Sequence, residues 1–279
     1  MRDQRVKQLE SLCKVVPNCP FGSQAFSDLL LATNDIDAYC HHGAQTENYK
    51  SLDFDEVAAL AANTRNIRQM CQALVSAKCK HIILTGTVFE KDEGNTPHPT
   101  TAATNYGLSK TLTAISWTHF AEEHGISLVR FVIPNPFGPF EEPRFTSYLV
   151  KTWAAGKTAT VNTPDYIRDN IPVSLLAKHY ASIVQHADEK NICDDTRPSF
   201  FVETQGAFAQ RFANEMKTRL NLACDLKLKT QTQFSEPLKR VNNETLDPSE
   251  YKWNEAGFWD ELADYYRQYV IDQKNSDLS

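Results

Sequence analysis

The chain has 279 residues and a formal charge of -6, with 35 acidic against 29 basic side chains. That length can bury a full core and lies between one large domain and two small ones. The acidic balance offers no broad basic surface for nucleic acid or anionic membrane, and no run of eighteen apolar residues is present to span a bilayer. Met1-Arg2-Asp3-Gln4-Arg5 lacks the apolar segment of a secretory signal, so a soluble, cytoplasmic protein is expected. Seven cysteines, Cys13, Cys19, Cys40, Cys71, Cys79, Cys193 and Cys224, form no CxxC and are expected as reduced thiols. His41-His42 is the one pair that invites a metal reading. Adjacent strand residues point to opposite faces, so no metal is expected, with one histidine near a ligand and the other packed or solvated.

In chain order, Arg5 to Cys13 reads as a short amphipathic start and Lys14-Val15-Val16 as a strand before the turn-like Pro17-Asn18-Cys19-Pro20. Gln24 to Ala32 has helical spacing, and Ile36 to Cys40 reads as a strand entering His41-His42-Gly43-Ala44. One helix is predicted from about Asp55 to Ala77, then a strand at Ile82-Ile83-Leu84, a helix carrying Tyr106, and a strand to Ile133. Alternating strands and helices predict an α/β protein with a Rossmann-like parallel sheet and helices on both faces. Beyond Pro139 the rhythm changes: helices at Phe145 to Ala155 and Leu175 to Ala187, a strand at Phe200 to Glu203, a helix through Leu220, and a half-buried strand pattern within Asp225 to Phe234. The aromatic run from Tyr251 to Val270 reads as a packing stripe, and the tail after Asp272 is expected to fray.

The chemistry centres on Tyr106-Gly107-Leu108-Ser109-Lys110. A tyrosine and a lysine four apart share one helix face, and an ammonium there lowers the cost of forming a tyrosinate. The same spacing also describes an ordinary solvated helix face.

With the strand His81 to Phe89 and its hydroxyls Thr85 and Thr87, the loop Pro134-Asn135-Pro136-Phe137-Gly138-Pro139 and the segment Arg168-Asp169-Asn170-Ile171-Pro172-Val173, the chain resembles the extended short-chain dehydrogenase/reductase family, the NAD-dependent epimerases and dehydratases. Tyr106 follows Thr85 by 21 residues, as in that family's order of strand, loop and YxxxK helix. His41-His42-Gly43-Ala44 resembles its HLAA turn, and Asn63-Thr64-Arg65-Asn66 its NVxGT helix with Asn66 in place of glycine. The resemblance implies that residues 1–139 form an incomplete Rossmann-like dinucleotide-binding domain. It likewise implies that residues 140–279 form mainly a smaller C-terminal α/β substrate domain, with about 160–190 returning to the first. The catalytic residues it implies are Thr85, Tyr106 and Lys110. It implies His41, Ala44, Asn63, Tyr106, Lys110, Pro134 and Phe137 around NAD or NADP, and Thr87, Asn135, Arg144 and Arg168 around a nucleotide sugar. Thr85 and Thr87 are alternative catalytic hydroxyls, with Thr85 preferred because it stands four residues before Phe89, the aromatic matching the family's VYG. Arg144 and Arg168 suit a diphosphate by their bidentate geometry, and suit a salt bridge equally. Gly86-Thr87 stands where sugar 4,6-dehydratases carry Asp-Glu, which leaves epimerisation or carbonyl reduction.

The family's opening strand and GxxGxxG turn are not found in the sequence. Three expectations compete: the gene product is longer, another chain supplies the missing strands, or this is a shortened relative that leaves the dinucleotide unbound. A homodimer and a partner chain over an open sheet edge are the assemblies expected. A catalytically silent binding or assembly protein is the rival of the enzyme reading.

Overall fold

The computed structural model describes residues 2–94, 100–142, 144–187 and 195–271, and Cys193 and the tail after Asp272 lie outside them. The chain divides into two units, Met1–Ile133 with Tyr180–Arg197, and Pro134–His179 with Pro198–Ser279.

In the first unit, α1 (Arg2–Glu10) and α2 (Gln24–Leu31) precede β1 (Tyr39–His41), and α3 (Glu56–Asn63) and α4 (Ile67–Ser76) precede β2 (His81–Thr87). Next come α5 (Asn105–Glu123) and β3 (Ser127–Ile133). The strands form a parallel sheet in the order β1-β2-β3. Period-two alternation sorts their side chains. Ile82 and Leu84 face a core shared with Leu30 of α2, Met70 and Leu74 of α4, and the fully buried Trp117 of α5. Thr85 pairs in register with Phe131, whose ring meets Tyr180 of the returning segment at 4.9 Å.

Two expectations fail locally. Lys14-Val15-Val16 is not a strand: Pro17 and Pro20 follow it, Asn18 turns the chain at φ 55°, and no neighbouring strand pairs with it among the described residues. The helix expected from Asp55 to Ala77 is two helices, broken at Asn66, which adopts the left-handed conformation (φ 54°) and donates from Nδ2 to the Gly22 carbonyl at 2.8 Å. Asn66 stands where the resembling family has glycine, and asparagine tolerates that conformation better than most other residues.

In the second unit, β4 (Asn135–Phe137), α6 (Phe145–Ala154), β5 (Ala159–Val161) and β6 (Ile167–Pro172) lead into α7 (Val173–Gln185). After β7 (Pro198–Ser199) and β8 (Phe201–Thr204) come α8 (Gln205–Leu220), β9 (Leu226–Leu228), β10 (Lys239–Arg240), β11 (Glu244–Thr245) and α9 (Glu255–Tyr266). β6 is central, parallel to β4 and β10 and antiparallel to β8. The piece that rejoins the first unit begins only at Tyr180, because β5 and β6 find their strand partners inside the second unit. The strand pattern of Asp225 to Phe234 contracts to β9, which pairs with β5 and leaves Leu228 half exposed. The aromatic run packs: Trp253, Phe258, Trp259, Tyr265 and Tyr266 are buried. Cys13, Cys19, Cys40, Cys71, Cys79 and Cys224 are free thiols.

A charge cluster secures the loop after β2 to β3. Arg130 donates to Glu90 at 3.2 Å, to Glu93 at 3.0 Å, and from Nε to Asp195 at 2.9 Å, while Arg197 donates to Glu93 at 2.8 Å. The Glu90 and Glu93 side chains are only 1% and 2% exposed. Removing the central cation leaves buried carboxylates short of a partner. Arg130→Met is therefore expected to lower unfolding free energy by about 3–5 kcal/mol in urea titrations. A loss below about 1 kcal/mol would mean that water replaces the guanidinium.

Candidate active site

Thr104 fixes the start of α5 by accepting from the Gly107 N–H at 3.0 Å, placing Tyr106 and Lys110 in the first two turns. Gly107 is required by close approach, since a Cβ there would sit 2.1 Å from the Phe89 carbonyl oxygen. The loop after β2 thereby packs directly on the helix. Tyr106 is ringed edge-on by Tyr49, Phe54 and Phe89 at centroid distances of 5.3, 5.9 and 6.3 Å. One turn on, Lys110 is 4% exposed and donates from Nζ to the Thr85 carbonyl at 2.6 Å. Burial pushes its ammonium below the ordinary lysine range, and the Glu90 carboxylate opposes that shift.

The Thr85 hydroxyl is paired as well, 2.6 Å from Nδ1 of His42. Thr87 is buried, and its backbone N–H donates to Glu90 at 2.8 Å. Of the two threonines, Thr85 is the one the structure joins to Lys110. Asn63 uses both ends of its amide internally, accepting from the Gln45 N–H at 2.8 Å and donating to Thr113 at 3.2 Å. It thus ties the turn containing the half-buried Ala44 to α5.

His41 departs from its expected place beside a cofactor. It is 3% exposed, packed at 4.7 Å from both Phe21 and Trp117, and bonded through Nδ1 to the Tyr39 hydroxyl at 2.9 Å. Burial holds its pKa near 3, so it is a neutral core residue. The register explains this: His41 pairs with Leu84 and so faces the Trp117 core, whereas His42, one residue on, emerges on the side of Thr85. Among the described residues no cluster of three His, Cys, Asp or Glu side chains could hold a metal.

The second unit holds the other sequence candidates. Asn135 donates to the Asp169 carbonyl at 3.2 Å. Phe137 is 3% exposed in an aromatic core with Phe208, Phe258 and Trp259, so its side chain is committed to packing and only its backbone is left for a ligand; Pro134 is buried beside it in sequence. Arg168 also departs from its expected role as an open anion handle. It is 6% exposed, donates to the carbonyls of Ile167, Pro237 and Leu238 and to Glu236, and lies 4.3 Å above the Tyr166 ring. Arg144 is exposed and 3.5 Å from Glu141. It opens onto a groove of about 420 Å³ on α6, lined also by Tyr148, Lys151 and Lys157.

Sequence reasoning chose His41 over His42 and passed over Glu90 and Arg130. The strand alternation that separates His41 from His42 was a usable signal. The ion pairs of Glu90 were not, because they join residues forty positions apart.

A parallel sheet with a threonine at a strand end, facing a buried lysine on a YxxxK helix, defines a Rossmann-like short-chain dehydrogenase/reductase. The chain belongs to the NAD dependent epimerase/dehydratase family, which it matches over residues 18–193. No curated protein sequence matches it. Among solved structures it is similar to UDP-glucuronic acid 4-epimerase from Bacillus cereus in complex with UDP-glucuronic acid and NAD, at 16% identity and TM-score 0.71 over 96% of this chain and 86% of that one. It is similar to the dTDP-glucose 4,6-dehydratase DesIV from Streptomyces venezuelae with NAD and TYD bound, at 14% identity and TM-score 0.62 over 87% and 77%. A UDP-glucose 4-epimerase from Thermotoga maritima with UDP-glucose gives 16% identity and TM-score 0.60 over 83% and 77%. At such identities the likeness is one of fold.

One acid at the α6 end yields a pH test. Burial pushes the Glu141 carboxyl up to about 7, against the pull of Arg144. A raised folded-state pKa means stability fully present below the ordinary glutamate value of 4.5 and lost as pH climbs through about 7. Glu141→Gln is expected to gain about 3 kcal/mol relative to wild type between pH 4.5 and pH 8, read from urea midpoints. Parallel pH profiles of the two proteins would refute this assignment.

Proposed function

We propose that the protein is an NAD(P)-dependent nucleotide-sugar epimerase or reductase acting through Thr85, Tyr106 and Lys110. The observation carrying this reading is the buried Lys110 ammonium bonded to the Thr85 carbonyl, one helical turn from Tyr106. One of its three protons is used there, leaving two for the hydroxyls of a nicotinamide ribose. The residues present therefore fit the ribose end of the dinucleotide, although the sequence contains no glycine-rich turn for the pyrophosphate. When bound, the nicotinamide would supply the hydride acceptor and donor. Tyr106 exchanges the proton of the reacting sugar oxygen, Lys110 eases formation of its tyrosinate, and Thr85 hydrogen-bonds that oxygen. Oxidation at a ring carbon gives a ketone, and hydride return to the opposite face gives the epimer. Gly86-Thr87 supports epimerisation or reduction over 4,6-elimination. Within the second unit, taken by itself, Arg144 with Lys151 and Lys157 lines a cationic groove whose chemistry suits a diphosphate.

The rival reading, a silent binding or assembly protein, draws support from the self-satisfied site, in which His42 occupies the Thr85 hydroxyl and the Thr85 carbonyl occupies Lys110. Calorimetric titration of the full chain with NAD and NADP separates the two. The enzyme reading expects micromolar or tighter binding, and loss of at least about a hundredfold in turnover of UDP-sugars in Tyr106→Phe with unchanged thermal unfolding. Folded protein that binds neither dinucleotide would favour the silent reading.

A homodimer is the assembly proposed. Leu108, Leu112 and Ile115 form an exposed stripe along α5 (39%, 36% and 60%), and Val57 on the neighbouring α3 is 70% exposed. A partner chain on the outer edge of β1 is the alternative; among the described residues no strand pairs there. Light scattering should find a dimer that Leu112→Glu with Ile115→Glu converts to monomer. A wild-type monomer at tens of micromolar would discard this interface.

A further inference from the structure

We propose that His42 is a positioning residue that sets the hydrogen-bond polarity of Thr85, so that the site prefers an alcohol when the imidazole is neutral and a carbonyl when it is protonated. The inference rests on Thr85 meeting the reacting oxygen, as in the function proposed above. Its structural basis is the 2.6 Å contact between Nδ1 of His42 and Oγ1 of Thr85, a distance that requires one shared proton.

Two arrangements of that proton are possible. If Thr85 donates to Nδ1, its oxygen keeps only lone pairs for a ligand and accepts a bond from a substrate hydroxyl. If Nδ1–H donates to Thr85, the threonine proton is released to a substrate carbonyl. The surroundings favour a neutral ring. His42 faces Thr85 from β2, Lys110 from α5 and the Tyr180 ring at 4.9 Å from α7, with His41 beside it on its own segment. Lys110 is the charged group among them, and its ammonium repels a second proton on the ring. Burial and Lys110 together hold the His42 pKa below the ordinary histidine value. In the Nε2–H tautomer of that neutral ring Thr85 offers lone pairs to a ligand, and it becomes a donor once acid protonates Nδ1. No other titratable group touches the Thr85 hydroxyl among the described residues.

The test begins with histidine 15N correlation spectra of the full chain from pH 5 to 8, with His42 assigned by its absence in His42→Leu or, should that variant not fold, in His42→Gln. The expected result is a neutral Nε2–H tautomer at pH 7 that loses this preference in Thr85→Val and regains it in Thr85→Ser. An Nδ1–H tautomer at pH 7, or a spectrum indifferent to Thr85→Val, overturns the proposal whatever the protein's activity. The second arm measures, at saturating NAD and in the Tyr106→Phe background where turnover is blocked, the affinity for a UDP-sugar and for its keto counterpart against pH. The alcohol should lose about tenfold in affinity relative to the ketone as pH falls through the His42 pKa found by NMR, the worth of one hydrogen bond. Adding His42→Leu should abolish that shift, and a shift that persists counts against the proposal. If the chain binds no dinucleotide while the tautomer result holds, the activity reading fails and the Thr85–His42 polarity stands.

Discussion

Everything in the first unit is arranged around a lysine that has lost its water. The Lys110 ammonium is 4% exposed, and the cost of taking it out of solvent is offset by a carbonyl at 2.6 Å and by the negative charge of Glu90. Glu90 is itself buried and must be compensated, which brings in Arg130; Arg130 in turn gathers Glu93 and Asp195, and Arg197 completes the cluster. One buried cation thus fixes the end of β2, the loop after it, the middle of β3 and the segment around Asp195. The same chain of compensation holds Thr85 in place, because its carbonyl is the lysine's hydrogen-bond acceptor. Site and scaffold are parts of one electrostatic structure.

The second unit solves a comparable problem with a buried carboxylate. Asp169, in the middle of β6, is fully buried and accepts from the N–H groups of Phe200 at 2.9 Å and Asn242 at 3.1 Å. Burial raises its carboxyl and these donors oppose the shift. Neighbouring Arg168 spends its donors on three carbonyls and Glu236. A segment that looks like a ligand-binding signature in the sequence therefore serves as a joint between β6 and the connections on either side of it. The aromatic core that absorbs Phe137 lies in the same unit, and Arg144, Lys151 and Lys157 line a groove along α6.

The alternation of strands and helices that makes a parallel sheet, the helix carrying Tyr106 and Lys110, and the aromatic packing of α9 were all legible in the sequence, because hydrophobic period is local. Asn66 was half legible: its mismatch with a glycine position was visible, and the left-handed backbone that breaks the long helix was the reason. Lys14-Val15-Val16 misled because β-branched residues suggest a strand whether or not a partner exists to pair with it.

The sequence by itself determined which residue types the site would contain: a threonine at a strand end, and a tyrosine and lysine spaced to share a helix face. Tertiary structure decided which of them would meet. Register sent His41 into the Trp117 core and His42 to the Thr85 hydroxyl, and long-range ion pairs chose Glu90 as the counter-charge to Lys110. Periodicity is written along the chain, whereas burial and charge compensation exist only once distant segments exclude water together.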